Sequence, residues 1–111
     1  MRLKNIYQKK ILILGYNMED EFKLLFKTVS NRIKQDKSKS YTKKLIKEGP
    51  KKISQKLGEE CTELIVDYLK GSKKRTVEEA VDVIYHLVVL LNSKKISIND
   101  IYKEIRKRKN V

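Results

Sequence analysis

One cysteine, one proline, four glycines and no tryptophan in 111 residues leave this chain few of the residues that staple or break a fold. The single cysteine, Cys61, excludes an internal disulfide framework and a multi-cysteine zinc site, and it suits a reducing compartment. The absence of any run of about 18 or more apolar residues excludes a transmembrane helix. Ile11-Leu12-Ile13-Leu14 follows Lys and Arg residues as in a secretory signal, but it is too short and no small-residue cleavage site follows it. The expected location is therefore cytoplasmic. Internal repeats are absent as well. With 40% hydrophobic and 37% charged residues, the composition is that of a soluble globular protein and not of a disordered polyelectrolyte. The length allows one small domain with a modest core that self-association would help to complete.

Positive charge is what the chain has in excess: 27 Lys and Arg against 14 Asp and Glu give a net charge of +13. Such a balance invites a nucleic-acid reading. The lysines, however, are scattered along the whole chain, and arginine and glycine are few, so a solvated basic surface is the reading to prefer. Either way, the positive field favours a polyphosphate substrate.

Residues 1–17 have no clean period and read as an N-terminal extension, either a short strand or a disordered segment. Met18 is the expected start of the recognisable domain, 18–111. From there Phe22, Leu25, Phe26, Val29 and Ile33 recur at helical spacing, with Glu19, Asp20 and Glu21 at the end where negative charge favours a helix. Asp36–Ser40 is a polar linker. Ser40-Tyr41-Thr42 opens a short helix carrying Leu45 and Ile46, and Gly49-Pro50 closes it, with proline suited to the first position of the next helix. That helix runs to about Leu69 with Ile53, Leu57, Cys61, Leu64 and Tyr68 on one stripe. Gly71-Ser72 ends it, and Lys73-Lys74-Arg75 reads as a basic loop. Thr76-Val77-Glu78-Glu79 matches a capping box, so the following helix is expected to start at Thr76. Its residues from Ala80 to Leu91 are apolar almost all round, which predicts burial on several sides and hence a dimer or tetramer. Ser97 caps a last amphipathic helix with Ile98, Ile101, Tyr102 and Ile105, followed by the solvated basic tail Arg106–Lys109. Every element is helical.

Half of the acidic residues fall between Gly58 and Leu91: Glu59, Glu60, Glu63, Asp67, Glu78, Glu79 and Asp82. Glu60 and Glu63 share a helix face at i,i+3, and Glu79 and Asp82 repeat that spacing on the next helix. Packed antiparallel, the two helices would bring both pairs together. Close like charges raise one another's pKa, so such a cluster needs a positive partner. A hard divalent cation with oxygen preference meets that need, and Mg²⁺ is the usual choice beside phosphate. Competing readings exist for each residue. Glu79 could be the partner of Thr76 in the capping box, and Glu59 and Asp67 read as solvent-exposed. His86 could be a core histidine, a partner for a carboxylate or a substrate contact, and Cys61 reads as a small core residue. Asp82, between Val81 and Val83, is the hardest to treat as surface.

Ser40-Tyr41-Thr42, Gly49-Pro50 with Lys52-Ile53, Lys56-Leu57-Gly58-Glu59-Glu60-Cys61-Thr62-Glu63 and Glu79-Ala80-Val81-Asp82-Val83-Ile84-Tyr85-His86-Leu87 together resemble the phosphoribosyl-ATP pyrophosphohydrolase family. The resemblance extends more loosely from about Asp20 to Arg108, with Cys61 standing where the family usually has alanine. It implies an all-α, MazG-like helical bundle whose core is completed by homodimerisation. It also implies Mg²⁺-dependent hydrolysis of 1-(5-phosphoribosyl)-ATP to 1-(5-phosphoribosyl)-AMP and pyrophosphate, the second step of histidine biosynthesis. Carried over by position, Glu60, Glu63, Glu79 and Asp82 are the expected metal ligands. Glu59 and Glu60 are the candidate catalytic carboxylates, Glu59 as a further ligand or water-orienting base. Ser40, Tyr41, Lys56, Lys73, Lys74, Arg75 and His86 are the candidate substrate contacts. The next step is expected to need a separate phosphoribosyl-AMP cyclohydrolase. Two alternatives remain: a MazG-type (d)NTP pyrophosphatase with the same metal site, and a basic helical nucleic-acid-binding protein.

Overall fold

The apolar spacing from Phe22 to Ile33 folds as helix α1, Met18–Lys34. Four more helices follow in the computed structural model, which describes residues 18–35 and 40–109: α2, Tyr41–Glu48; α3, Pro50–Lys70; α4, Lys73–Ser93; and α5, Ile98–Lys107. No strand occurs among the described residues, so the fold is all-α as expected. The expectations for residues 1–17, and for the linker up to residue 39, lie outside the described residues. Among those described, no helix is long and apolar enough to cross a membrane.

Local signals explain most of the boundaries. Ser40 N-caps α2 by accepting from the Lys43 N–H at 3.1 Å. Gly49 then serves two helices at once: its N–H donates to the Leu45 carbonyl, closing α2, and its carbonyl accepts the Ile53 N–H, opening α3, each at 3.1 Å. Its φ of +98° with ψ of −178° is a backbone conformation essentially reserved for glycine. Pro50 follows at the first helical position, where no N–H is needed. Ser97 and Asp100 form a reciprocal capping box at α5.

One boundary differs from expectation. Helix α4 begins at Lys73, capped by Ser72, whose hydroxyl accepts from the Arg75 N–H at 3.1 Å. Lys73-Lys74-Arg75 is therefore the first helical turn and not a loop, and Thr76 caps nothing. Its hydroxyl instead donates to the carbonyls of Ser72, at 2.9 Å, and Asp67, at 3.2 Å. Glu79 is thus released from any capping duty.

α3 and α4 form a hairpin through the two-residue Gly71-Ser72 turn and make the most extensive packing in the chain. α1 and α2 close over one end of it, and α5 leans on α1. The core lies at that end: Val29 of α1, Leu45 of α2, Ile53 of α3 and Val88 and Val89 of α4 are buried together. Each such side chain contributes on the order of 1.5–3 kcal/mol when fully buried. Thr42, buried on α2, hydrogen-bonds the Tyr85 hydroxyl of α4 and fixes the rotation of the short helix.

The opposite end of the hairpin is bare in the single chain. Ile65, Val66, Tyr68 and Leu69 of α3 and Val77 and Val81 of α4 are all more than half exposed. Tyr68, expected on the core stripe, is 75% exposed because the core stops well before it. The apolar faces of α4 are likewise only partly covered by this chain. At Gly49 the constraint is the φ angle and not crowding, since a methyl group there would meet nothing within 4 Å, so Gly49→Ala tests backbone strain alone. It should destabilise the fold by about 1–3 kcal/mol in urea titrations.

Candidate metal centre

The α3–α4 hairpin carries the acids. Glu60 of α3 and Glu79 and Asp82 of α4 each offer an oxygen within 4.8 Å of the others. Glu79 is the most enclosed, at 5% exposure, and its Oε2 is buried with no hydrogen-bond partner. An unmet buried acceptor is costly, and here it sits among like charges. Burial, the adjacent Glu60 carboxylate and repulsion from Glu63 and Asp82 push the Glu79 carboxyl from 4.5 up to about 7. Burial and the Glu63 charge likewise raise Glu60 above the ordinary carboxylate range. Asp82, which its apolar neighbours Val81 and Val83 suggested lay away from the surface, is exposed because Val81 beside it is exposed too. Three converging carboxylates, two of them raised in proton affinity by burial and mutual repulsion and one with a buried, unpartnered oxygen, describe a site short of positive charge. A hard, oxygen-preferring divalent cation fits that donor set.

The other acids sit around this trio. Glu63 is exposed and is not one of the three that converge, although its charge bears on both Glu60 and Glu79. Glu59 also stands outside the trio. It accepts from Gln55 Nε2 at 2.8 Å and Lys56 Nζ at 3.3 Å, contacts that hold its carboxyl below the usual range. Asp67, expected on the surface, has only an 18% exposed side chain and pairs with Arg75.

On the other flank lies an aromatic cluster. His86 is buried, and its Nδ1 is 2.7 Å from the Asp82 backbone carbonyl. A carbonyl can only accept, so Nδ1 carries the proton, and in the neutral ring Nε2 accepts from the Tyr41 hydroxyl at 3.0 Å. Tyr41 stacks on Tyr85 at 6.2 Å, and His86 meets both rings edge-on. Burial raises the Tyr41 hydroxyl pKa, and Lys56, Glu59 and Glu60 all act on it, so the cluster borders the acidic face of α3.

The expected substrate contacts therefore divide. Ser40, Tyr41, Lys56 and His86 fall on one side of the trio. Lys73 and Lys74 project from the first turn of α4, roughly 18 Å along the axis from His86. Arg75 turns to the carboxylates, 3.3 Å from Glu79 Oε1 and 3.7 Å from Asp67 Oδ2. Sequence reasoning missed the Arg75–Glu79 pairing because it placed the helix start at Thr76. Ser72 was the signal that could have corrected it, since starting there puts Arg75 and Glu79 at i,i+4.

The raised Glu79 pKa has a definite sign for stability. Between about 4.5 and 7 the folded, metal-free protein binds more protons than the unfolded chain, so this group's stabilising contribution is complete below 4.5 and is lost as pH rises to 7. Urea midpoints measured in EDTA should fall across that window, and Glu79→Gln should flatten the decline.

A family model described as phosphoribosyl-ATP pyrophosphohydrolase matches residues 22–109. The chain is 46% identical over 91 residues to the phosphoribosyl-ATP pyrophosphatases of Bacillus mycoides (strain KBAB4) and Bacillus thuringiensis (strain Al Hakam), covering 82% of this chain and 85% of each relative. It is 43% identical, over the same shares, to the phosphoribosyl-ATP pyrophosphatase of Bacillus cereus (strain B4264). The match spans the short helix that carries Tyr41, the acidic hairpin and the aromatic flank alike, and the chain belongs to the phosphoribosyl-ATP pyrophosphohydrolase family.

Proposed function

We propose that the protein hydrolyses 1-(5-phosphoribosyl)-ATP to 1-(5-phosphoribosyl)-AMP and pyrophosphate in histidine biosynthesis, with Mg²⁺ held by Glu60, Glu63, Glu79 and Asp82. The observation that carries the metal part is the buried, unpartnered oxygen of Glu79 inside a converging carboxylate trio. When bound there, Mg²⁺ supplies charge neutralisation at the phosphate oxygens and acidifies a coordinated water.

The protein's own residues do the rest. Water adds to phosphorus as the bond between the α and β phosphates breaks, and pyrophosphate departs with the electron pair. Glu59, held below the usual carboxylate range by Gln55 and Lys56, is the base we assign to orienting that water and taking its proton. Lys56, half-buried and paired with Glu59, is the cation we assign to the charge that develops on the departing pyrophosphate. Tyr41, exposed and held by the buried His86, offers its ring to the nucleoside, with Ser40 at the helix start, and His86, both of whose ring nitrogens are engaged, acts through Tyr41. The bare apolar end of the hairpin, with Val81 next to Asp82, suits a second copy of the chain packed over it.

Two measurements check this reading. Pyrophosphate release from phosphoribosyl-ATP should require Mg²⁺ and stop in EDTA, and Glu60→Gln should lower kcat by about 100-fold or more, beyond the loss typical of groups that only support ligands. Faster release from a panel of dNTPs would place the chain with the MazG-type pyrophosphatases instead. Sedimentation equilibrium should give twice the 13.1 kDa chain mass, and Leu69→Lys should shift that species toward monomer. A wild-type monomer at micromolar concentration would refute the dimer.

A further inference from the structure

The turn between α3 and α4 holds Asp67 more firmly than a surface acid requires. Its backbone carbonyl accepts the Gly71 N–H at 2.8 Å and the Thr76 hydroxyl at 3.2 Å. Gly71 leaves no room beside it: a methyl there would lie 2.8 Å from Asp67 Oδ1 and 2.9 Å from its carbonyl oxygen. With the Asp67 backbone anchored, a chain of contacts runs from its carboxylate through Arg75, whose Nη2 lies 3.7 Å from Asp67 Oδ2 and 3.3 Å from Glu79 Oε1. The one Glu79 oxygen that Arg75 touches is thereby accounted for. The other, Oε2, is buried and has no partner.

We propose that Arg75, braced by Asp67, is a positioning residue that pins Glu79 Oε1 so that Oε2 remains turned inward as a metal donor. The inference rests on the reading of Glu60, Glu79 and Asp82 as a metal site. It assigns to Arg75 a role toward the ligand in place of substrate contact, and to Asp67 a role where the sequence suggests a solvated acid.

Two effects of Arg75 on a bound cation oppose each other. Its charge repels the cation and competes for Glu79, while its geometry fixes the donor. The guanidinium is 57% exposed, so water screens its charge, and it occupies only one of the two carboxylate oxygens. Glu79 itself is enclosed, where a misoriented donor has no solvent to compensate it. Positioning therefore outweighs repulsion.

The test is Mg²⁺ binding to the full chain without substrate, by calorimetry and by competition against the Mn²⁺ electron-paramagnetic signal. Arg75→Gln should weaken Mg²⁺ binding about 10-fold, the size expected for losing a partner that orients a ligand. Asp67→Asn, which keeps both the residue shape and the Arg75–Glu79 pair, should weaken it in the same direction by less. Arg75→Lys, which keeps the charge but loses the planar, pre-organised head whose Nη2 meets both carboxylates, should fall between wild type and Arg75→Gln. Thermal melts identify any variant that fails to fold, and Asp67→Asn then carries the test. Unchanged or tighter Mg²⁺ binding in folded Arg75→Gln, or in Asp67→Asn where the first variant is unfolded, overturns the inference and leaves the metal site standing. Absence of Mg²⁺ binding in the wild type overturns the metal site and this inference together.

Discussion

A carboxylate enclosed by protein with one oxygen left unsatisfied is the constraint on which the rest of this molecule turns. Glu79 could be relieved by moving outward, and an isolated α4 would allow it. The hairpin prevents that. Glu79 is held by Arg75 on one side and crowded by Glu60 and Asp82 on the other. The core at the Val88–Val89 end of α4 fixes the helix rotation that brings Glu79 and Asp82 to Glu60 of α3. A handful of buried aliphatic side chains thus holds an enclosed Glu79 against a half-buried Glu60 and an exposed Asp82, where their mutual repulsion is costly. A proton or a metal ion can resolve the conflict, and the raised Glu79 pKa is the form the conflict takes when only protons are present.

How α2 contributes is clearest from its contacts across the chain. It is eight residues long, far too short to be stable alone. Its position depends on Leu45 in the core, on Thr42 bonded to Tyr85, and on Tyr41 bonded to His86. Tyr85 and His86 are consecutive on α4, so adjacent residues of α2 grip adjacent residues of α4. This double attachment stiffens the aromatic flank on the acidic side of α3, where a nucleotide would meet the carboxylates.

Much of this was legible in the sequence and some was not, for reasons that differ by residue. The i,i+3 spacing of Glu79 and Asp82 is local information, and so are the caps at Ser40 and Ser97 and the Gly49-Pro50 junction. Each was read correctly because a helix face or a backbone dihedral is determined within four residues. Ser72 against Thr76 was a contest between two local signals, and the sequence pattern favoured the wrong one. Thr76-x-x-Glu79 has the acid of a capping box, whereas Ser72 lacks it. What decides in favour of Ser72 is tertiary: Thr76 finds the Asp67 carbonyl across the turn, and Arg75 finds both Asp67 and Glu79. Asp67 was misread for the same reason, since its partner lies across the turn and is placed only once the hairpin closes. Val81 belongs to the apolar excess that the sequence shows on α4, whereas the bare Ile65, Leu69 and Val77 were not expected, because where the core ends along the hairpin is set by how α1 and α2 pack on it.

The net charge of +13 and the acidic centre are reconciled by distance. Charges in solution are screened over about 8 Å at physiological ionic strength, so lysines scattered over α1, α2 and α5 add little to the energy of a phosphate held at the α3–α4 hairpin. Their summed field acts earlier, on the approach of a polyanion, which raises encounter rates in a salt-dependent way. Lys56 and Arg75 differ in kind, because each pairs directly with an acid of the hairpin, at 3.3 Å from Glu59 and from Glu79. A negative pocket inside a positive protein would repel a polyphosphate at the last step if the carboxylates stood alone. With a divalent cation among them, the same pocket changes from an obstacle to the point of attachment. The basic surface and the acidic hairpin are then successive stages of one electrostatic path, the first long in range and weak, the second short in range and strong.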